Sequence, residues 1–88
     1  MTDQETPAIE YTEIPDDPEA ECVCLDWARY RGLGTFARTD TDERVFVQRN
    51  ALSGVTWPAP GMLFRCKLRA LPPEKLHAYV ATFAQRIP

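Results

Sequence analysis

From Glu21 onward the chain is written in short runs in which apolar and polar positions alternate, the two-residue period of a half-buried strand. Cys22 to Tyr30 is the first such run, with Val23, Leu25 and Trp27 on one side and the thiols of Cys22 and Cys24 on the other. Thr35 to Arg38 follows Gly32 and Gly34, and the breaker Thr39-Asp40-Thr41-Asp42 ends it. Glu43 to Gln48 then alternates cleanly: Val45 and Val47 point one way, Arg44, Phe46 and Gln48 the other. A loop rich in glycine and proline, Ser53 to Gly61, leads to Met62–Leu68, where Leu63, Arg65 and Lys67 oppose Phe64, Cys66 and Leu68. Short strands at this spacing predict an all-β sandwich or small barrel. The last segment reads two ways. Leu76, Tyr79, Val80 and Phe83 fall at helical spacing behind Pro73-Glu74, a suitable helix start; as a strand, the same segment turns Leu76, Ala78 and Val80 inward. Periodicity alone leans towards the helix.

Charge divides the chain in two. Residues 1–21 carry eight carboxylates and no Lys or Arg, whereas residues 22–88 hold all ten basic groups against five carboxylates, a net of +5. The overall net charge of −3 describes neither part. With Pro7, Pro15 and Pro18 among its acids and few large apolar groups, the first segment is expected to be a largely disordered acidic tail. Ile9, Tyr11 and Ile14 are its exceptions, suited to docking somewhere as a short strand. The division of the chain is therefore a tail over 1–21 and one folded domain over 22–85.

A chain of 88 residues has room for a thin core and a shallow surface site. His77, the single histidine, has no nucleophile motif nearby, and no paired-carboxylate or phosphate-cradling pattern is present, so an enzyme is not expected. His77 itself reads as a solvent-facing strand residue. No apolar run approaches the ~20 residues that span a bilayer, and no signal peptide is visible. The expected setting is the cytoplasm, without membrane association. Cys22, Cys24 and Cys66 are an odd set for a disulfide framework. A thiolate site with His77 is conceivable, but metal-site spacings are absent, and the three read as small buried apolar residues; no metal or cofactor is expected.

The strand–glycine–strand portion resembles the cold-shock domain, a five-stranded antiparallel barrel of the oligonucleotide-binding type. That family's first strand and first ribonucleoprotein motif run approximately V-K-W-F-N-x-x-K-G-F-G-F-I, and Cys24 to Phe36 lies against it without a gap. Val45 to Leu52 matches the second motif, V-F-V-H-F-S-A-I. Gly61 to Leu68 looks like the family's G-Q-x-V-x-F-x-V strand, and Leu76 to Val80 is similar to its closing L-Q-A-x-x-V strand. The resemblance covers about 22–83 and tips the last segment towards strand. It implies low-specificity binding of single-stranded RNA or DNA, as an RNA chaperone or transcription-linked accessory; a monomer is the default expectation. Aromatic side chains on the outer face would meet bases, and cations would track phosphates.

Much of that face departs from the family. Asp26 stands at the tryptophan position, Leu33 and Thr35 at two phenylalanines, Arg49 at a third, and Gln48 at the histidine. At a low-end value of about 1 kcal/mol per stacked base, four lost aromatics cost ~4 kcal/mol, roughly a thousandfold in affinity. The expected interface comprises Trp27, Arg29, Arg31, Leu33, Arg38, Arg44, Phe46, Gln48 and Arg49, with arginines returning part of the loss through phosphate contacts and guanidinium stacking. Trp27 is divided between core and platform. Simple alternation groups it with Val23 and Leu25, whereas the family register buries Cys24 and turns Trp27 outward; a bulge near Asp26 reconciles the two. The acidic tail reads either as a solubilising segment or as an intramolecular competitor for the cationic face. A second reading is a protein-interaction module using Leu33, Thr35, Phe46, Val55, Trp57 and Met62, in which Trp57-Pro58-Ala59-Pro60 is either an epitope or a plug for the barrel end.

Overall fold

The computed structural model describes residues 18–88, which form a closed, five-stranded mixed β-barrel. The strands are β1 (Glu19–Ala28), β2 (Leu33–Arg38), β3 (Arg44–Gln48), the two-residue β4 (Leu52–Ser53), β5 (Leu63–Ala70) and β6 (Tyr79–Arg86). A single 3-10 turn, Arg49–Ala51, connects β3 to β4. The sheet order is β3-β2-β1-β5-β6-β4, and β3 pairs with β6 to close the ring. The antiparallel expectation holds for β1 with β2 and β5, for β2 with β3 and for β5 with β6, whereas the closing pair β3–β6 and the short β4–β6 pair are parallel. The expected disorder of the acidic tail falls outside the described residues except at its end: β1 starts at Glu19, inside the segment assigned to the tail. No helix among the described residues is long and apolar enough to cross a membrane.

Alternation decides what lies inside. Cys22 and Cys24 of β1, Phe36 of β2, Val45 and Val47 of β3, and Phe64, Cys66 and Leu68 of β5 are almost completely buried, as are Ala81 and Ala84 of β6. The register places Cys24 opposite Phe36 and Cys22 opposite Phe64, and the two phenylalanine rings meet at 4.9 Å with a 50° tilt. Thiols at three inward positions leave room for these rings near the barrel axis. Burial pushes the Cys24 thiol up to about 11, with Asp26 adding to the effect. The hydrogen bond with Cys22, together with burial, also pushes Cys66 above the ordinary thiol range. These thiols behave as apolar filling.

Two strands carry an extra residue. Cys24 faces Phe36 while Asp26 faces Thr35, leaving Leu25 as a bulge in β1. A bulge that would reconcile the two registers is present beside Asp26, but it reverses the expected grouping. Val23 and Leu25 lie outward of the core, whereas Trp27 returns inward, opposite Gly34 and packed against the core. In β6, Lys67 faces Phe83 and Leu68 faces Ala81, so the register shifts by one residue at Thr82, whose hydroxyl donates to the Lys67 carbonyl at 3.3 Å. Bulges bend strands and increase local twist, which closing a barrel of only five strands demands.

The C-terminal segment is a strand and not a helix. It begins at Tyr79, later than the resemblance places it. Leu76, expected inside, is 90 % exposed. It lies in a connection that turns at Pro72–Lys75 (Lys75 N–H to Pro72 O, 3.0 Å) and rejoins the barrel where the Ala78 N–H donates to the Arg44 carbonyl at 2.9 Å.

Candidate nucleic-acid interface

The outer face of β1, β2 and β3 is assembled in rows by the strand register. One row runs Asp26–Thr35–Phe46, the next Ala28–Leu33–Gln48. Phe46 sits outward of the barrel wall, as the alternation of β3 requires, because its neighbours Val45 and Val47 fill the core. It is half-buried, and the cover comes from a residue that the sequence places in a solvent-facing strand. The His77 ring lies 5.4 Å from that of Phe46, tilted by 53°, and His77 Nε2 is 2.9 Å from the Thr35 hydroxyl. The β5–β6 connection thus folds an imidazole over the platform. Phe46 and His77 make a two-ring surface beside Leu33, Thr35 and Gln48.

A second group surrounds the β1–β2 turn. There the Arg31 and Gly32 amides donate to the Ala28 carbonyl at 3.0 and 2.8 Å. Gly32 has φ +70°, and a β-carbon on it would lie 2.8 Å from Arg49 Nη2, so the guanidinium occupies the space above the turn. Arg49 N–H donates to the Gly32 carbonyl at 2.8 Å, and its Nη2 reaches the Arg29 carbonyl at 3.4 Å. Arg29 in turn lies over the Trp57 ring at 4.3 Å. Trp57 remains 54 % exposed, while the adjacent Pro58 is buried. The loop carrying them is pinned to β1 through Cys24 N–H to Met62 O and Gly61 N–H to Cys24 O, both 2.9 Å. Between this loop and β1 is a cleft of about 450 Å³ lined by Asp26, Trp27, Arg29 and the Trp57–Pro60 segment. Trp27 closes its inner wall, and its indole Nε1 is buried without a hydrogen-bond partner.

The structure divides the five predicted arginines. Arg29, Arg31 and Arg49 gather around the β1–β2 turn, and all three are exposed. Arg38 and Arg44 lie at the other ends of their strands, roughly 15 Å away along β2 at ~3.3 Å per residue. Both are committed to carboxylates. Arg38 binds both oxygens of Asp40, at 3.0 and 2.8 Å, and donates to the Tyr79 hydroxyl at 3.2 Å. Arg44 Nη1 pairs with Asp42 at 3.0 Å. The hydrogen bond from Arg38 holds the Asp40 carboxyl below its usual range.

Three side chains join the site that were not assigned to it from the sequence. His77 is brought in by a connection whose course no local pattern reveals. Trp57 was placed with a protein partner, and its stacking on Arg29 is a tertiary contact. Tyr30 is 96 % exposed between Arg29 and Arg31, an Arg-Tyr-Arg turn that was visible in the sequence as an aromatic with no core to enter. The thiols and His77 do not meet: Cys22, Cys24 and Cys66 face the core while His77 lies outside on Thr35, and no metal-binding cluster occurs among the described residues. In comparisons with known proteins, no family model and no curated protein matches the chain.

Proposed function

We propose that this barrel binds single-stranded RNA or DNA with little base specificity, as a divergent relative of the cold-shock domain acting in the cytoplasm. The observation that carries the reading is the outward Phe46 on β3, flanked by His77, with three exposed arginines that form no ion pair among the described residues, and Trp57, at the adjoining end of the same face. Rings at Phe46 and His77 offer π-faces to two bases, and Trp57 with Tyr30 extends the aromatic surface beyond the turn. Arg29, Arg31 and Arg49 supply phosphate contacts. Three such contacts give a salt slope of roughly −2 for a single strand, at about −0.7 per phosphate. Binding is weak and falls steeply with salt.

Titrating the full chain with a short U- or T-rich strand, followed by backbone amides at low and moderate salt, tests this. Shifts confined to Ala28–Thr35, Arg44–Arg49 and Val55–Gly61, fading as salt rises, support it. Unchanged spectra at both salts refute it.

One observation favours a second reading. Asp26 stands in the same row as Thr35 and Phe46, and a carboxylate there repels a phosphate backbone. On that reading the face, with Trp57 at its rim, takes a protein partner and has lost nucleic acid. Phe46→Ala with Arg49→Ala abolishing oligonucleotide shifts favours the first reading; silence towards oligonucleotide with Trp57-dependent capture of a defined protein favours the second.

A further inference from the structure

The barrel has a second cationic face, on β5 and the C-terminal half of β6, beyond the point where Val80 pairs with Phe46. On β5, Arg65 and Lys67 point away from the buried Phe64, Cys66 and Leu68. On β6 the residue opposite Lys67 is Phe83, 41 % exposed, and the one opposite Arg65 is Gln85. With Arg86 and Ile87 these residues line a groove of about 270 Å³. Arg65, Lys67 and Arg86 form no ion pair among the described residues. Two carboxylates of β1 lie across from them, Glu19 opposite Lys67 and Glu21 opposite Arg65. Glu21 is turned aside to accept from the Thr39 hydroxyl at 2.8 Å, so Glu19 alone faces the groove. An exposed phenylalanine among cations that lack an ion pair within the described residues calls for an occupant that is acidic and carries large apolar side chains.

We propose that the occupant is this chain's own residues 1–17. They hold six carboxylates with no Lys or Arg, and their large apolar side chains include Ile9, Tyr11 and Ile14. Pro18, where the described chain begins, is already fastened beside the groove, its carbonyl accepting from the Leu68 N–H at 2.9 Å. Reach decides which residues meet Phe83. From β1 across β5 to β6 is two inter-strand spacings, about 10 Å. Ile14 lies four residues before Pro18 and extends at most about 14 Å from it; Tyr11, seven before, extends about 24 Å. Both reach the ring, and Glu13, Asp16 and Asp17 then come within range of Arg65 and Lys67. A tether this short gives an effective concentration of order millimolar, so a weak contact suffices. The proposal stands apart from the nucleic-acid reading: it leaves the Phe46 face open and shields the β5–β6 face instead.

The test uses the full chain, labelled for NMR, at low salt and at about 0.5 M salt, where the screening length falls below 5 Å. Expected are Overhauser contacts from Tyr11 or Ile14 to the Phe83 ring at low salt. They weaken at high salt and vanish in Arg65→Glu/Lys67→Glu, with amide shifts of β2 and β3 unchanged. Because the salt arm uses the unmodified chain, a misfolded variant leaves the test intact. Absence of those contacts at low salt overturns the proposal. Concentration-dependent shifts at Phe83 without them assign the groove to a second copy, and oligonucleotide shifts at Arg65–Arg69 without them assign it to nucleic acid; either overturns it too.

Discussion

The indole of Trp27 occupies the space that a side chain at Gly34 would need. A β-carbon there would lie 2.7 Å from Trp27 Cε3 and closer still to the Asp26 carbonyl oxygen. The second contact is with backbone at the β1 bulge, which cannot swing aside as a flexible side chain can. Gly34→Ala is therefore expected to lower stability by about 2–3 kcal/mol, the upper part of the range for overpacking. Urea denaturation reads it as a drop in midpoint, and an unchanged midpoint would mean that Trp27 does not pack across the strand.

On the proposed nucleic-acid reading Phe46 serves binding, and its outer position leaves the buried core intact when the ring is removed. Phe46→Ala is expected to weaken oligonucleotide affinity by about 1–3 kcal/mol, or roughly 5- to 150-fold, with little change in the salt slope. Arg49→Ala should instead flatten the slope by about 0.7. Fluorescence titration of a labelled strand at several salt concentrations separates the two, and equal effects on slope would count against a stacking role for Phe46.

Acid should loosen the β2–β3 turn. The Arg38 hydrogen bond depresses the Asp40 carboxyl below its unfolded value near 3.8, so the contribution of this pair is complete above that pH and is lost as pH falls through the lower, folded value. Asp40→Asn removes the contribution at every pH. The melting temperatures of the two proteins should thus differ at pH 6 and converge as pH falls through the depressed, folded value. A gap that stays constant down to pH 2 would show that the pair adds nothing pH-dependent.

All three thiols should be silent in the native state. Cys22, Cys24 and Cys66 are at most 1 % exposed, and the Cys24 thiol is held up at about 11. An aromatic disulfide reagent at pH 8 is expected to titrate none of them rapidly and all three in denaturant. One fast-reacting thiol in the folded protein would place that cysteine outside the core.

How far the sequence announces this architecture depends on the strand. In β3, Val45, Phe46 and Val47 alternate and the faces read directly; in β5 the same holds for Phe64, Arg65, Cys66, Lys67 and Leu68. The misreadings fall on the two bulged strands. An extra residue changes the inward spacing locally from two to three: Cys24 to Trp27 in β1, Ala81 to Ala84 in β6. The helical reading of the last segment came from Leu76, Tyr79, Val80 and Phe83, but Leu76 lies exposed in the connection before β6 and Phe83 faces outward, so that spacing marked no buried face. Of the candidate site, Phe46 and the arginines near the β1–β2 turn were legible because register and turn position are local. His77 over Phe46, Arg29 on Trp57 and the pairing of Arg38 with Asp40 and Tyr79 depend on which loop returns to which face, and no short window of sequence carries that.

The parallel pairing of β3 with β6 has a consequence for how the molecule breathes. The ring is closed there by only two residue pairs, Val45 with Tyr79 and Phe46 with Val80, against five or more along each of the other barrel seams. Short seams open first, and this one joins segments more than thirty residues apart, so it is also costly to re-form. Phe46 belongs both to that seam and to the outer face. Whatever stacks on its ring holds the barrel shut at its weakest point, and occupancy of the surface becomes visible in the protein as slower exchange of the amides that close the ring.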